Sequence, residues 1–207
     1  MKRLTFVCLA MLCAAALVPQ SLDAAVGIKG GYSLSKFSVV SVDPVPVFDN
    51  LNFYTGGIFF DIKLGFVSIE PEILYVRMGA NLKVDTTRME SRFEYVQVPV
   101  LLKLNIVPAG PVRPFLYGGG YGSYLWKATG IEWLDGAMVG EPVDMSDTYQ
   151  KYDYGLIGGG GLAFHLPGIS ISVEGRYNYG LMNIMMDPPA GESTKNRSIM
   201  VLAGIGF

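Results

Sequence analysis

The chain has 207 residues, 18 acidic and 16 basic side chains, and hydrophobic residues make up half of it. A formal charge of −2 excludes the basic footprint of a nucleic-acid-binding protein. After the first two dozen residues no apolar run approaches the roughly 18–20 residues that a membrane-spanning helix needs, so helices do not span here.

In chain order, Met1-Lys2-Arg3 is a short basic segment ahead of an apolar stretch from Leu4 to Val18. Pro19 and the small-residue site Leu22-Asp23-Ala24 follow. This is the pattern of a secretory signal peptide over 1–24, leaving 25–207 as one exported domain. Cys8 and Cys13 lie inside the stretch, and Val7 and Leu12 before them are too large for a lipoprotein signal. The exported part then carries no thiol and no disulfide framework.

The remaining hydrophobic residues recur with period two, and Gly, Tyr and Phe are abundant, which fits strands with one lipid face and one interior face. Strands are expected near 25–37, 52–64, 66–78, 93–107, 112–127, 153–166, 169–182 and 198–207. Gly65, Pro108-Ala109-Gly110-Pro111 and Pro167-Gly168 are tight turns, whereas the other four connections are long and polar. Short turns on one side and long loops on the other describe an all-β, eight-stranded antiparallel transmembrane β-barrel of the OmpA/OmpX type in size, in the outer membrane of a Gram-negative bacterium. Both chain ends are then periplasmic. A soluble β-sandwich would have no reason to segregate its loops in this way.

Strand parity separates the faces. Val96, Val98, Val100, Leu102, Leu104 and Ile106 share one side, with Gln97, Lys103 and Asn105 on the other. Ile169, Ile171, Val173, Tyr177 and Tyr179 likewise oppose Ser170, Ser172, Glu174, Arg176 and Asn178, and Ile58, Phe60, Ile62 and Leu64 oppose Asp61 and Lys63. A charge at mid-membrane on the lipid side costs about 2–4 kcal/mol, so the charged side is the lumen. Lys29, Asp61, Lys63, Glu70, Glu72, Lys103, Glu174 and Arg176 are therefore expected inside, as a salt-bridged plug in a lumen just wide enough for its side chains. An ion or proton path is the alternative.

Aromatic residues near strand ends read as interfacial girdles. Phe66, Phe115, Tyr117, Phe164 and Phe207 would mark the periplasmic interface, and Tyr32, Phe53, Tyr54, Tyr75, Phe93, Tyr124, Trp126, Tyr154 and Tyr179 the outer one. The chain closes on an alternating run, Ser198 to Phe207, whose terminal Phe207 is the expected signal for the outer-membrane assembly machinery. Gly118-Gly119-Gly120 and Gly158 through Gly161 lack the following helix that a phosphate loop needs and are read as closely packed barrel wall.

The lone histidine, His165, with Ser170, Ser172 and Glu174 would be an acyl-hydrolase set, but at the periplasmic mouth it would point inward, away from lipid. A rim histidine is expected instead, and no catalytic residue. Asp135, Glu141, Asp144 and Asp147 match no calcium-loop spacing, so no metal and no cofactor is expected. The loop 128–152 is the longest and acidic, and it exposes Trp133, Leu134 and Met138 beside Asp144 and Asp147, a candidate contact surface. Val39, Val40, Val42, Val45 and Val47 in the first loop could extend the strands and offer an edge, although Pro44 and Pro46 oppose a regular one.

The segment Phe93-Glu94-Tyr95-Val96-Gln97-Val98-Pro99-Val100-Leu101-Leu102-Lys103 resembles the Y-x-x-x-P-x-L-x-K strand of the PorT-like outer-membrane β-barrel family of Bacteroidetes. So do Arg113-Pro114-Phe115-Leu116-Tyr117-Gly118-Gly119-Gly120, Val173-Glu174-Gly175-Arg176-Tyr177 leading to Gly180-Leu181, and the C-terminal Phe. The resemblance implies an eight-stranded outer-membrane barrel; the family's namesake takes part in type IX secretion, and no catalytic residues carry over. The expectation is thus a non-enzymatic barrel acting through its loops or periplasmic rim, in a structural, interaction or secretion-accessory role. Its expected partners are outer-membrane lipid, the barrel-assembly machinery during biogenesis, and an envelope or secretion protein, with a monomer as the default state. A narrow small-solute channel and a lipid hydrolase are the alternatives.

Overall fold

The computed structural model describes residues 24–40, 48–84, 87–107, 109–134, 137–186 and 193–207. The expected signal peptide, apart from Ala24, lies outside them, as do Val42, Val45, Val47 and Asp135.

Alternating, β-prone sequence forms nine strands: β1 (Ala24–Val40), β2 (Phe48–Leu64), β3 (Val67–Val84), β4 (Thr87–Asn105), β5 (Val112–Leu134), β6 (Ala137–Asp144), β7 (Tyr152–Leu166), β8 (Ile169–Gly180) and β9 (Ser193–Gly206). Eight of them close a ring in the order β1-β2-β3-β4-β5-β7-β8-β9, and all its pairings are antiparallel. Closure leaves no open edge within the ring, which is how a sheet can satisfy its backbone in lipid. The eight-stranded barrel expected from the sequence is present.

The ninth strand corrects the expectation of a long loop over 128–152. β5 continues to Leu134 and folds back as β6, pairing Thr129 with Asp144 and Trp133 with Met138. The upper part of β4 supplies the cause, because Thr87 to Glu94 pair with Leu134 to Lys127 and hold β5 extended above the barrel wall. The outer side of β6 is blunted: its register breaks opposite Gly130/Glu132, where Gly140 has φ +72° and Pro142 offers no N–H. Strands of 17 to 19 residues in β1 to β4 also exceed the roughly 9–11 that a membrane crossing takes, so these hairpins project beyond it.

The three tight turns lie at one end, with Gly65 and Gly168 at φ +75° and +82°. The termini join them there: the Phe207 N–H donates to Val26 O at 2.9 Å and the Val26 N–H returns to Phe207 O. We call this the turn end, and the opposite one the loop end.

Parity sorts the faces as read from sequence on β2, β4 and β8. Leu101 is buried and Leu102 is 57% exposed; Glu174, Arg176 and Asn178 are inside while Val173, Tyr177 and Tyr179 face out. Four girdle assignments are corrected. Phe93, Phe115 and Tyr117 are buried in the lumen, and Phe53 pairs with the lumen-facing Ser33. Position near a strand end suggested an interface, but parity decides: Tyr117 is the direct partner of Lys103 and must share its side. The remaining girdle residues that face outward include Tyr32 and Tyr54, whose hydroxyls are 2.9 Å apart, with Tyr124 edge-on to Tyr152.

The glycine tracts meet, Gly118 opposite Gly158 and Tyr117 opposite Gly159. A Cβ on Gly159 would stand 2.4 Å from Gly175 O and 2.6 Å from the Tyr117 ring. The missing side chain lets a lumen aromatic lie flat on the wall.

The filled lumen as candidate functional site

The lumen charges come from five strands. Lys29 (β1) donates to Glu70 at 2.8 Å, Glu72 at 2.6 Å and Glu174 at 3.2 Å. Lys103 (β4) binds Glu70 at 2.7 Å and reaches Asp61 at 3.5 Å. Arg176 (β8) grips Glu72 with two hydrogen bonds of 2.6 and 2.8 Å and Glu174 with one of 2.8 Å. Seven of the eight expected residues are thereby joined into one network, and each of the seven is buried. Lys63, half-buried, lines the cavity at the turn end.

Burying charge is costly unless it is paired and hydrogen-bonded. Here the β-sheet makes the pairing unavoidable, because alternate residues of β3 and β8 bring Glu70, Glu72, Glu174 and Arg176 to one level. Aromatic rings complete the cage, a contribution that the sequence reading missed. The Lys29 ammonium lies 5.0 Å from the Phe59 ring centre, Lys103 4.5 Å from Phe115 and the Arg176 guanidinium 5.3 Å from Tyr117, within cation–π range. The signal available was the parity of Phe115 and Tyr117 with Arg113 on β5.

Toward the turn end a cavity of about 60 Å³ is lined by Lys63, Arg113, His165, Ser170, Ser172 and residues of the network. His165 pairs with Ser170 across β7 and β8, but its buried Nδ1 has no partner, and the Glu174 carboxylate is committed to Lys29 and Arg176. His165 and Ser170 are neighbours, but Glu174 lies four residues along β8 opposite Gly161, so the relay that activates a serine is not formed.

Above the network the lumen carries an apolar cluster of Leu74, Val76, Met78, Phe93, Tyr95 and Leu125, on which Met145 and Tyr149 pack from the connection after β6, Tyr149 edge-on to Phe93 at 4.7 Å. This connection is tied to the one after β8, since the Gln150 N–H donates to Ile184 O at 2.9 Å and Tyr149 bridges to Met185. The two segments cover the loop end of the lumen.

The candidate contact residues do not form one patch. Leu134 and Met138 are exposed on the β5–β6 hairpin, whereas Trp133 is half-buried with the Arg88 guanidinium 6.0 Å from its ring. Asp147 is fully exposed and ion-paired to Lys151 at 3.2 Å. Hydrogen bonds from Ser146 hold Asp144 below the usual carboxylate range. Among the described residues no group of three or more His, Cys, Asp or Glu side chains is placed to hold a metal ion. Phe207 is exposed at the turn end, on the seam that closes the ring.

The fold has solved counterparts. Neisserial surface protein A is similar over 88% of this chain and 95% of its own, at 15% identity and a TM-score of 0.50. OprG from Pseudomonas aeruginosa covers 90% and 97%, at 11% identity and a TM-score of 0.51. The outer membrane protease OmpT from Escherichia coli covers 92% and 99%, at 10% identity and a TM-score of 0.48. At such identities the likeness is one of fold alone. No curated protein matches the sequence. A family model described as "Outer membrane protein beta-barrel domain" matches residues 18–185, more than half of the chain. Closed ring, outward apolar face and family match agree, and the chain belongs to this family of outer-membrane β-barrels.

Proposed function

We propose that this is a non-enzymatic barrel with a side-chain-filled lumen, acting through its loops or its turn-end rim as a structural, interaction or secretion-accessory protein. The observation that carries the reading is the lumen network itself. Three cations and four carboxylates, tied at 2.6 to 3.5 Å from five strands, occupy the section where a conducting barrel would hold water. His165 without its relay argues against hydrolysis.

In this reading 1–24 is removed on export, the turn end and both termini are periplasmic, Phe207 is read by the assembly machinery, and the barrel is monomeric in outer-membrane lipid. The PorT-like resemblance of the β4, β5 and β8 segments supports a secretion-accessory role within this class. Mild-detergent affinity purification of the tagged protein from its native membrane tests it: near-stoichiometric envelope or secretion components are expected, and a barrel that emerges alone would leave only the structural role.

A narrow channel for small solutes is the second reading. It rests on the cavity at the turn end, which would serve as its vestibule, and it requires the network below the loop-end cover to part.

A further inference from the structure

The cavity at the turn end is walled by charge and by atoms that lack a partner. Asp61 is 9% exposed; its Oδ2 is 3.5 Å from Lys103 Nζ, whereas its Oδ1 is buried without a hydrogen bond. His165 Nδ1 is in the same condition. Both residues line the cavity together with Lys63, Arg113, Ser170 and Ser172.

The strand registers bring these side chains to one mouth. Arg113 is opposite Ala163 and Ala163 opposite Ser172, and the next rung with the same facing pairs His165 with Ser170. Two such rungs are about 7 Å apart, so long side chains on one reach those on the other. Asp61 and Lys63 are consecutive lumen-facing residues of β2, which stands across the ring from β7. The lumen is narrow enough to close that gap: the charges of Arg113, Lys63, Lys103 and Asp61 all act on the His165 ring. A hydrogen bond from Arg113 Nε to Gly110 O at 3.1 Å anchors the guanidinium at this end.

An occupant of the cavity has two demands to meet. Arg113 and Lys63 call for negative charge, and Asp61 Oδ1 calls for a hydrogen-bond donor, because a buried carboxylate oxygen without one is costly. Chloride and sulfate carry the charge but no proton. Water carries protons but no charge. A hydrogen phosphate ion carries both, and the cavity, about 60 Å³, holds a few groups of water size, which is the scale of such an ion. A phosphate monoester loses its last proton near neutrality, its second pKa being about 6, so the acceptor selects inorganic phosphate over its esters.

We propose that the turn-end cavity binds inorganic phosphate, its oxygens held by Arg113, Lys63, Ser170 and Ser172, and its P–O–H group donating to Asp61 Oδ1. His165 completes the site, since Nδ1 donates to the anion in one tautomer and accepts from it in the other. The charge network behind Asp61 stays intact in this arrangement, so the site does not depend on whether the lumen conducts.

The test is equilibrium dialysis of the purified, folded barrel in a non-ionic detergent against radiolabelled inorganic phosphate at neutral pH. Saturable binding approaching one phosphate per barrel is expected. Unlabelled phosphate should displace it, and sulfate should compete roughly tenfold less well or worse, because it has no proton to give Asp61. Asp61→Asn should narrow that gap, since a carboxamide no longer repels a fully ionised anion. Absence of saturable binding, or sulfate competing as well as phosphate, would overturn the proposal. Should Asp61→Asn fail to fold, Arg113→Gln at the half-buried rim replaces it, with weaker phosphate binding expected and an unchanged affinity counting against the site.

Discussion

Arg176 and Glu72 face each other from β8 and β3, joined by two parallel hydrogen bonds of 2.6 and 2.8 Å between side chains that are wholly buried. This bidentate pair ties opposite regions of the ring, because β3 and β8 share no backbone ladder. It therefore braces the lumen as well as filling it.

Breaking one side of such a pair leaves the other charge uncompensated. Arg176→Met should destabilise the folded barrel by about 3–5 kcal/mol, and the combined change of Arg176→Met with Glu72→Gln should cost less than the single one. Urea unfolding in lipid vesicles measures both. A single variant as stable as the parent would show that the pair is solvated.

Glycine placement gives a second prediction, by parity. Gly159→Ala puts a Cβ against Gly175 O and the Tyr117 ring, and overpacking of this kind costs about 1–3 kcal/mol or more. Its neighbour Gly158 has nothing within 4 Å of the same atom, so Gly158→Ala should leave the unfolding midpoint nearly unchanged. Equal effects would mean that the face assignment of β7 is wrong.

Much of this arrangement was legible beforehand. Alternation in β4 and β8 separated Leu102 from Leu101 and Val173 from Glu174, because a lumen that holds charges and a wall that meets lipid impose opposite chemistry on successive residues. The same physics concealed Phe93, Phe115 and Tyr117, since an aromatic suits a girdle as well as a narrow lumen and only its partner strand decides. The β5–β6 hairpin was missed for another reason. Above the membrane, burial no longer sorts residues by face, and every residue of β6 is exposed, so its sequence reads as loop. The bond between Asp153 and Asn196 was not legible because the two lie on different strands, β7 and β9.

The lipid-facing assignment predicts a sharp contrast on β4. Leu102→Arg places a charge on the outer face and should cost about 2–4 kcal/mol if the position is near the bilayer midplane. The readout is the folded fraction, by heat-modifiable gel mobility, after refolding into vesicles. Lys103, one residue on, is already charged and faces inward. A Leu102→Arg variant that folds like the parent would place that face against water.

A substitution at Phe207 tests assembly apart from stability. The residue's backbone closes the seam with Val26 while its ring is exposed. Phe207→Ala should then lower the amount of barrel assembled in cells and leave refolding in detergent close to that of the parent. A parallel loss in both would make the residue a structural one.

The closed lumen is the centre of the account, and planar-bilayer recording of the purified barrel tests it most directly. The network of Lys29, Glu72, Glu174 and Arg176 predicts no steady conductance at either polarity. A steady, ohmic conductance that changes with Glu72→Gln or Arg176→Met would contradict it and make the lumen a path.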